Sequence, residues 1–124
     1  MECQLKLKSL LFDEITFKRL GDQNKNELEI SVEINIGTNI NDDDVKKISV
    51  KICGNKENEY TFLVQASGVF VYKGNSDDSM IQQNAVAIMM PYLRSEISLI
   101  TAQPGTKTVV LPPFNIVEMM GEKQ

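Results

Sequence analysis

The side chains of this 124-residue chain that could do chemistry are few in kind. Histidine is absent, which removes the usual general base, the commonest nitrogen ligand for a metal, and every Ser–His or Cys–His nucleophile pair. The two cysteines, Cys3 and Cys53, have no CxxC spacing and read as free thiols. Asp13, Glu14, Glu33, Glu96 and the run Asp42 to Asp44 are scattered along polar positions. Solvated carboxylates are expected there, and catalysis would need a convergent set. Asn39 to Asp44 offers oxygen ligands at alternating positions, but a calcium loop needs glycine at its sixth place and glutamate at its twelfth, where this chain has Asp44 and Val50. The segment therefore reads as a solvated turn. Gly105-Thr106-Lys107-Thr108 lacks the GxxxxGK[ST] pattern of a phosphate loop. No catalytic residue, metal centre or cofactor is expected, and a small enzyme is the least supported of the function classes.

Charge narrows the partners. A net charge of -4 and a pI near 4.8 argue against nucleic acid and against anionic membrane surfaces, since the basic residues are interspersed with acids. The start, MECQLKLKSL, lacks the apolar core of a signal peptide, and no uninterrupted apolar run is long enough to span a bilayer. A single cytoplasmic domain, residues 1–124, follows as the expectation.

The elements that would carry a binding surface come next. The one long helical stretch runs from Asp77 to Gln103, opened by the capping residues Ser76 and Asp77 and stopped by Pro104-Gly105. Ile81, Ala85, Ile88 and Tyr92 form one apolar line on it. Val86, Met89 or Met90, Leu93, Ile97 and Ile100 form a neighbouring one, so the apolar arc is wide enough for a sheet and a partner subunit. Pro91 should bend this helix.

Residues 4 to 19 alternate weakly, with Leu5, Leu7, Leu11, Ile15 and Phe17 on one parity and Leu10 and Phe12 out of phase. That pattern predicts a strand either bulged near Ser9 or covered on both faces. Strict alternation of Leu28, Ile30, Val32, Ile34 and Ile36 predicts a second strand, and Ile48, Val50 and Ile52 a third. A fourth runs from Tyr60 to Tyr72, apolar on both parities at its end, with Gly68 marking a bulge or a close backbone approach. Pro113 suits the first turn of a short last helix with Ile116, Met119 and Met120 on one side. Its methionines are either core filler or an adaptable apolar surface. The fold class is α+β: an antiparallel sheet with helix on one face.

Three segments in this order, FLVQASGVFVYKG, NAVAIMMPYLRSEISLI and VVLPPFNIVEMM, resemble the SecB and SecB-like chaperone family, as does Glu14-Ile15-Thr16-Phe17 upstream. The resemblance implies a four-stranded antiparallel sheet with a long helix and a short C-terminal helix on one face, assembled as a dimer or tetramer. It implies no catalysis, and a holdase role for unfolded or precursor polypeptides, in protein export for one branch of the family. By position the client groove would be lined by Leu28, Ile30 and Val32 with Phe114, Ile116, Met119 and Met120. The alternative for these side chains is a closed core. Lys18 and Leu63 stand where relatives carry acids, so a complex with the translocation ATPase is expected to be weak or absent. A dedicated chaperone for one client, such as an antitoxin, is the second reading within the family.

Overall fold

The structure, a computed structural model, describes residues 4–38, 45–73 and 78–112. The predicted C-terminal helix, together with Phe114, Ile116, Met119 and Met120, lies outside the described residues, as do Cys3 and the Asp42 to Asp44 run. Four antiparallel strands, β1 (Gln4–Arg19), β2 (Leu28–Thr38), β3 (Val45–Lys56) and β4 (Tyr60–Lys73), are followed by helix α1 (Asp78–Thr101). The helix ends two residues before the predicted Gln103 and runs through Pro91 as one element.

Spatial order in the sheet is β1-β4-β3-β2, so the first two strands of the chain are its two edges. The segment between them must cross the end of the β3–β4 hairpin, and side chains in it are suited to the task. Asn24 and Asn26 both donate from Nδ2 to the Glu57 carbonyl, at 2.9 and 2.8 Å, while the amides of Leu20 and Gly21 donate to the Glu59 carbonyl at 2.7 and 3.2 Å. Gly21 comes so close that a Cβ there would lie 2.5 Å from the Asn58 carbonyl oxygen. Asn58 itself holds the turn at a φ of 64°, a conformation asparagine tolerates better than most residues.

Alternation sorts the side chains. Ile48, Val50 and Ile52 of β3 and Phe62, Val64, Ala66 and Phe70 of β4 are buried under Ala85, Val86, Met89, Met90, Leu93 and Ile97 of α1, and Ile81 is buried as well. Each of these side chains other than the alanines contributes about 1.5–3 kcal/mol on burial. Gly68, expected to mark a bulge or a close backbone approach, meets side chains instead: a Cβ there would lie 2.8 Å from the Phe70 ring and 3.1 Å from the Met89 sulfur. Tyr92, placed by periodicity on the apolar arc, is half exposed on the outer side of α1.

β1 departs from the sequence reading in register. Its pairing with β4 slips between Leu7 and Ser9 and again between Phe12 and Glu14, so it carries two bulges where the sequence suggested one. The first reverses the parity and the second restores it. Leu5, Leu7, Leu10, Phe12 and Phe17 consequently pack on the core, and Leu11, expected beside Leu5 and Leu7, is 65% exposed on the opposite face. Asp13, at the second bulge, accepts a hydrogen bond from Ser67 Oγ.

Candidate functional site

α1 packs on β4, β1 and β3. The inner row of β2 lies beyond it. Leu28, Ile30, Val32 and Ile34 are only half-buried at the margin of the core, and Ile36 is 38% exposed. They stand in register beside Lys56, Gly54, Ile52, Val50 and Ile48 of β3. Of the predicted groove residues the structure therefore brings Leu28, Ile30 and Val32 together as one continuous apolar row, with the remainder outside the described residues.

At the Leu28 end this row opens into a cavity of about 410 Å³. Its walls include Asn24, Leu28, Lys56, Tyr60 and Val109. Sequence reasoning missed what builds that wall. After Gly105, whose φ of 78° turns the chain, residues 106–112 run back along α1 as a strap held by side chains of the helix. Arg94 donates through Nε and Nη2 to the Leu111 carbonyl at 3.1 and 2.9 Å. Ser98 Oγ donates to the Val109 carbonyl at 2.8 Å. The buried Thr101 hydroxyl donates to the Ile97 carbonyl at 2.8 Å and accepts from the Val109 amide at 2.9 Å, using both of its capacities. Arg19 bonds Thr106 and the Gly21 carbonyl, tying strap and crossing loop together. Serine, threonine and arginine on the polar side of a predicted helix were the available signal.

The floor of the cavity is ionic. Lys56 Nζ donates to the Asn24 carbonyl at 2.6 Å, to its Oδ1 at 3.0 Å and to Glu59 Oε1, which also accepts the Asn24 amide at 3.0 Å. Glu59 is 2% exposed. The hydrogen bond from Lys56, reinforced by the Asn24 amide, holds its carboxyl below the ordinary value of 4.5. Burial raises the neighbouring Tyr60 phenol above 10.0, and the Glu59 charge adds to the effect. Tyr60 also stacks between Phe17 and Phe62, with ring centroids 5.3 and 6.3 Å away.

A second hollow, about 640 Å³, lies on the solvent side of the strap between Pro91, Arg94, Ser98 and Leu99 of α1 and Val110 and Leu111. Leu99 is 68% exposed and Val110 77%. Among the described residues the carboxylates do not converge. Asp13 and Glu14 sit on β1, Glu33 faces Lys51 across the other edge at 3.8 Å, and Glu96 is on α1. Cys53, a free thiol, is half-buried in β3 opposite Ser31 and Leu63.

No family model matches the chain. An uncharacterized protein of Methanocaldococcus jannaschii, MJ0357, is 30% identical over 96% of this chain and 84% of its own length. Among solved structures, the Mycobacterium tuberculosis SecB-like chaperone Rv1957, in complex with a ChAD peptide from the HigA1 antitoxin, superposes with a TM-score of 0.68 over 90% of each chain at 10% identity. A Streptococcus agalactiae protein of unknown function does so with a TM-score of 0.54, over 90% of this chain and 99% of that one, at 12% identity. The fold is SecB-like.

Proposed function

We propose that this chain, which belongs to the same family as MJ0357 and has a SecB-like fold, is a molecular chaperone that holds unfolded polypeptides on the inner face of β2. The observation that carries the reading is the row Leu28, Ile30, Val32 and Ile34, half-buried and outside the cover of α1, in a domain whose β3 and β4 rows are fully buried. Burial of client side chains at about 1.5–3 kcal/mol each, less the cost of ordering the client, gives affinity without a fixed sequence. On the same reading Phe114, Ile116, Met119 and Met120 form the other wall. The site is a cytoplasmic binding surface that takes precursor or non-native chains without catalysis, cofactor or nucleotide.

A dedicated chaperone for one client is the second reading, favoured by the antitoxin peptide in the Rv1957 complex. Self-association accompanies either. The exposed Tyr92 and Leu99 on the outer side of α1, with Val110 of the strap, suit a second copy, giving a dimer or a tetramer. Light scattering that returned a 13.9 kDa monomer at micromolar concentration would overturn that part. Lys18 and Leu63 lie on the sheet face away from α1, aligned with Thr61 and Thr16, and give a basic tail of a translocation ATPase no carboxylate at those positions, so that complex is expected to be weak or absent.

Val32→Asp tests the main claim. Normal melting with lost suppression of aggregation of a reduced, unfolded protein is the expected result. A collapse of the melting temperature would assign Val32 to the core, and undiminished suppression with normal melting would put clients elsewhere.

A further inference from the structure

The two edges of the sheet are protected unequally. β1 carries two bulges and Lys6, Lys8 and Lys18, the usual devices that keep an edge strand from recruiting other chains. β2 has no such device. It pairs with β3 through an unbroken register from Leu28 to Thr38, contains neither proline nor lysine, and among the described residues nothing pairs with its other side. Its free edge thus presents alternate backbone N–H and C=O groups beside the apolar row of the proposed client surface.

We propose that β2 captures its client by strand addition, the client becoming a fifth strand of the sheet; this rests on the holdase reading and specifies what is held. The alternation of β2 then selects the client's pattern. Side chains of an added strand on the α1 side would lie beside Leu28, Ile30, Val32 and Ile34, and those on the opposite side beside Glu29, Ser31, Glu33 and Asn35. Glu33 already meets Lys51 at 3.8 Å on its β3 side, and the outer side is open to a second cation. Glu29 stands opposite Asn55 and has no cation across from it. The fitting occupant is therefore an extended segment that alternates apolar residues with lysine or arginine. A segment with the same residues in blocks cannot satisfy both faces, because successive side chains of a strand point to opposite sides and half of each block faces the wrong row. Main-chain pairing supplies affinity independent of sequence, and the two rows supply the preference.

The experiment compares three peptides long enough to span β2: alternating leucine and lysine, the same residues in two blocks, and alternating leucine and glutamate. Amide hydrogen exchange is followed residue by residue with each. In the free protein alternate β2 amides, those not donating to β3, exchange readily. With the leucine–lysine peptide these amides should slow at least about tenfold, and the block and glutamate peptides should bind about tenfold more weakly. Glu29→Lys with Glu33→Lys, both on exposed positions, should reverse the order of the two alternating peptides, with Glu29→Gln/Glu33→Gln as the milder form. Binding without protection of β2, protection on β1, or equal binding of the block peptide overturns strand addition. If any of these occurs while the protein still suppresses aggregation, the holdase reading stands; a wild-type protein that suppresses nothing removes that reading itself.

Discussion

β1 and β2 are edge strands of one sheet, each paired along one side only, and they meet the core differently. β1 has α1 above it, and its inner leucines are packed on the core by bulges that correct a sequence running out of phase. β2 runs in perfect alternation and register, yet its apolar row is left half-exposed. A strand with the cleaner pattern is ordinarily the better buried one. Here regularity and burial part company, as the proposed client surface on β2 requires.

The largest effect should come from placing a carboxylate on each side of the line between core and surface. Val64→Asp on β4 buries a charge beneath α1 without a partner, at a cost on the order of several kcal/mol against a total stability of about 5–15 kcal/mol. Val32→Asp, two strands away in the same row, leaves the charge within reach of water. Chemical denaturation should find the first variant largely unfolded and the second close to wild type. Equal destabilisation would erase the distinction between the strands.

The second test removes the protection of β1. Because Lys8 and Asp13 are the extra residues of its two bulges, deleting both leaves every other pair with β4 in place and makes the strand regular. The straightened edge should associate about tenfold more tightly, measured by light scattering across a dilution series. Unchanged assembly would mean that the bulges serve only to bring Leu10 and Phe12 inward.

Much of this contrast was legible in the sequence. Strict alternation marked β2, the out-of-phase Leu10 and Phe12 announced either a bulge or two covered faces in β1, and the wide apolar arc of α1 marked a helix packed on the sheet. The second bulge at Asp13 left no separate signal, because it merely restores the parity of Ile15 and Phe17. Strand order was hidden too. It depends on Asn24 and Asn26 meeting the Glu57 carbonyl from more than thirty positions away, a non-local arrangement that periodicity does not encode. The strap went unseen for the same reason: Arg94, Ser98 and Thr101 have the polarity of any solvated helix face until Val109 and Leu111 return to them.

Next in size is an effect of pH on the hairpin end that both edge strands share. The Glu59 carboxyl is held below its ordinary value of 4.5 in the folded protein, so its contribution is fully present above 4.5 and is lost progressively below it, as pH falls through the lower folded-state value. Urea midpoints across the acid range should decline for wild type. Glu59→Gln should be less stable at neutral pH and have a flatter acid limb. Parallel acid limbs in the two proteins would show that the pair with Lys56 does not anchor the crossing loop.

The smallest effect concerns the wall at the Leu28 end of β2. Ser98 donates a 2.8 Å hydrogen bond to the Val109 carbonyl, and Val109 lines the cavity with Leu28 and Tyr60. Ser98→Ala removes that donor but leaves the half-buried carbonyl able to take water, so the loss should be about 1 kcal/mol. Arg94 and Thr101 still hold the strap on either side, at Leu111 and at the Val109 amide. The strap should therefore loosen locally. Hydrogen exchange should quicken at residues 108–110 and stay unchanged in β3, and peptide affinity should fall less than it does for Val32→Asp. A loss beyond about 3 kcal/mol would make the strap part of the core, in which case the cavity beside Leu28 would belong to the packing of the domain and the open surface of β2 would begin at Ile30.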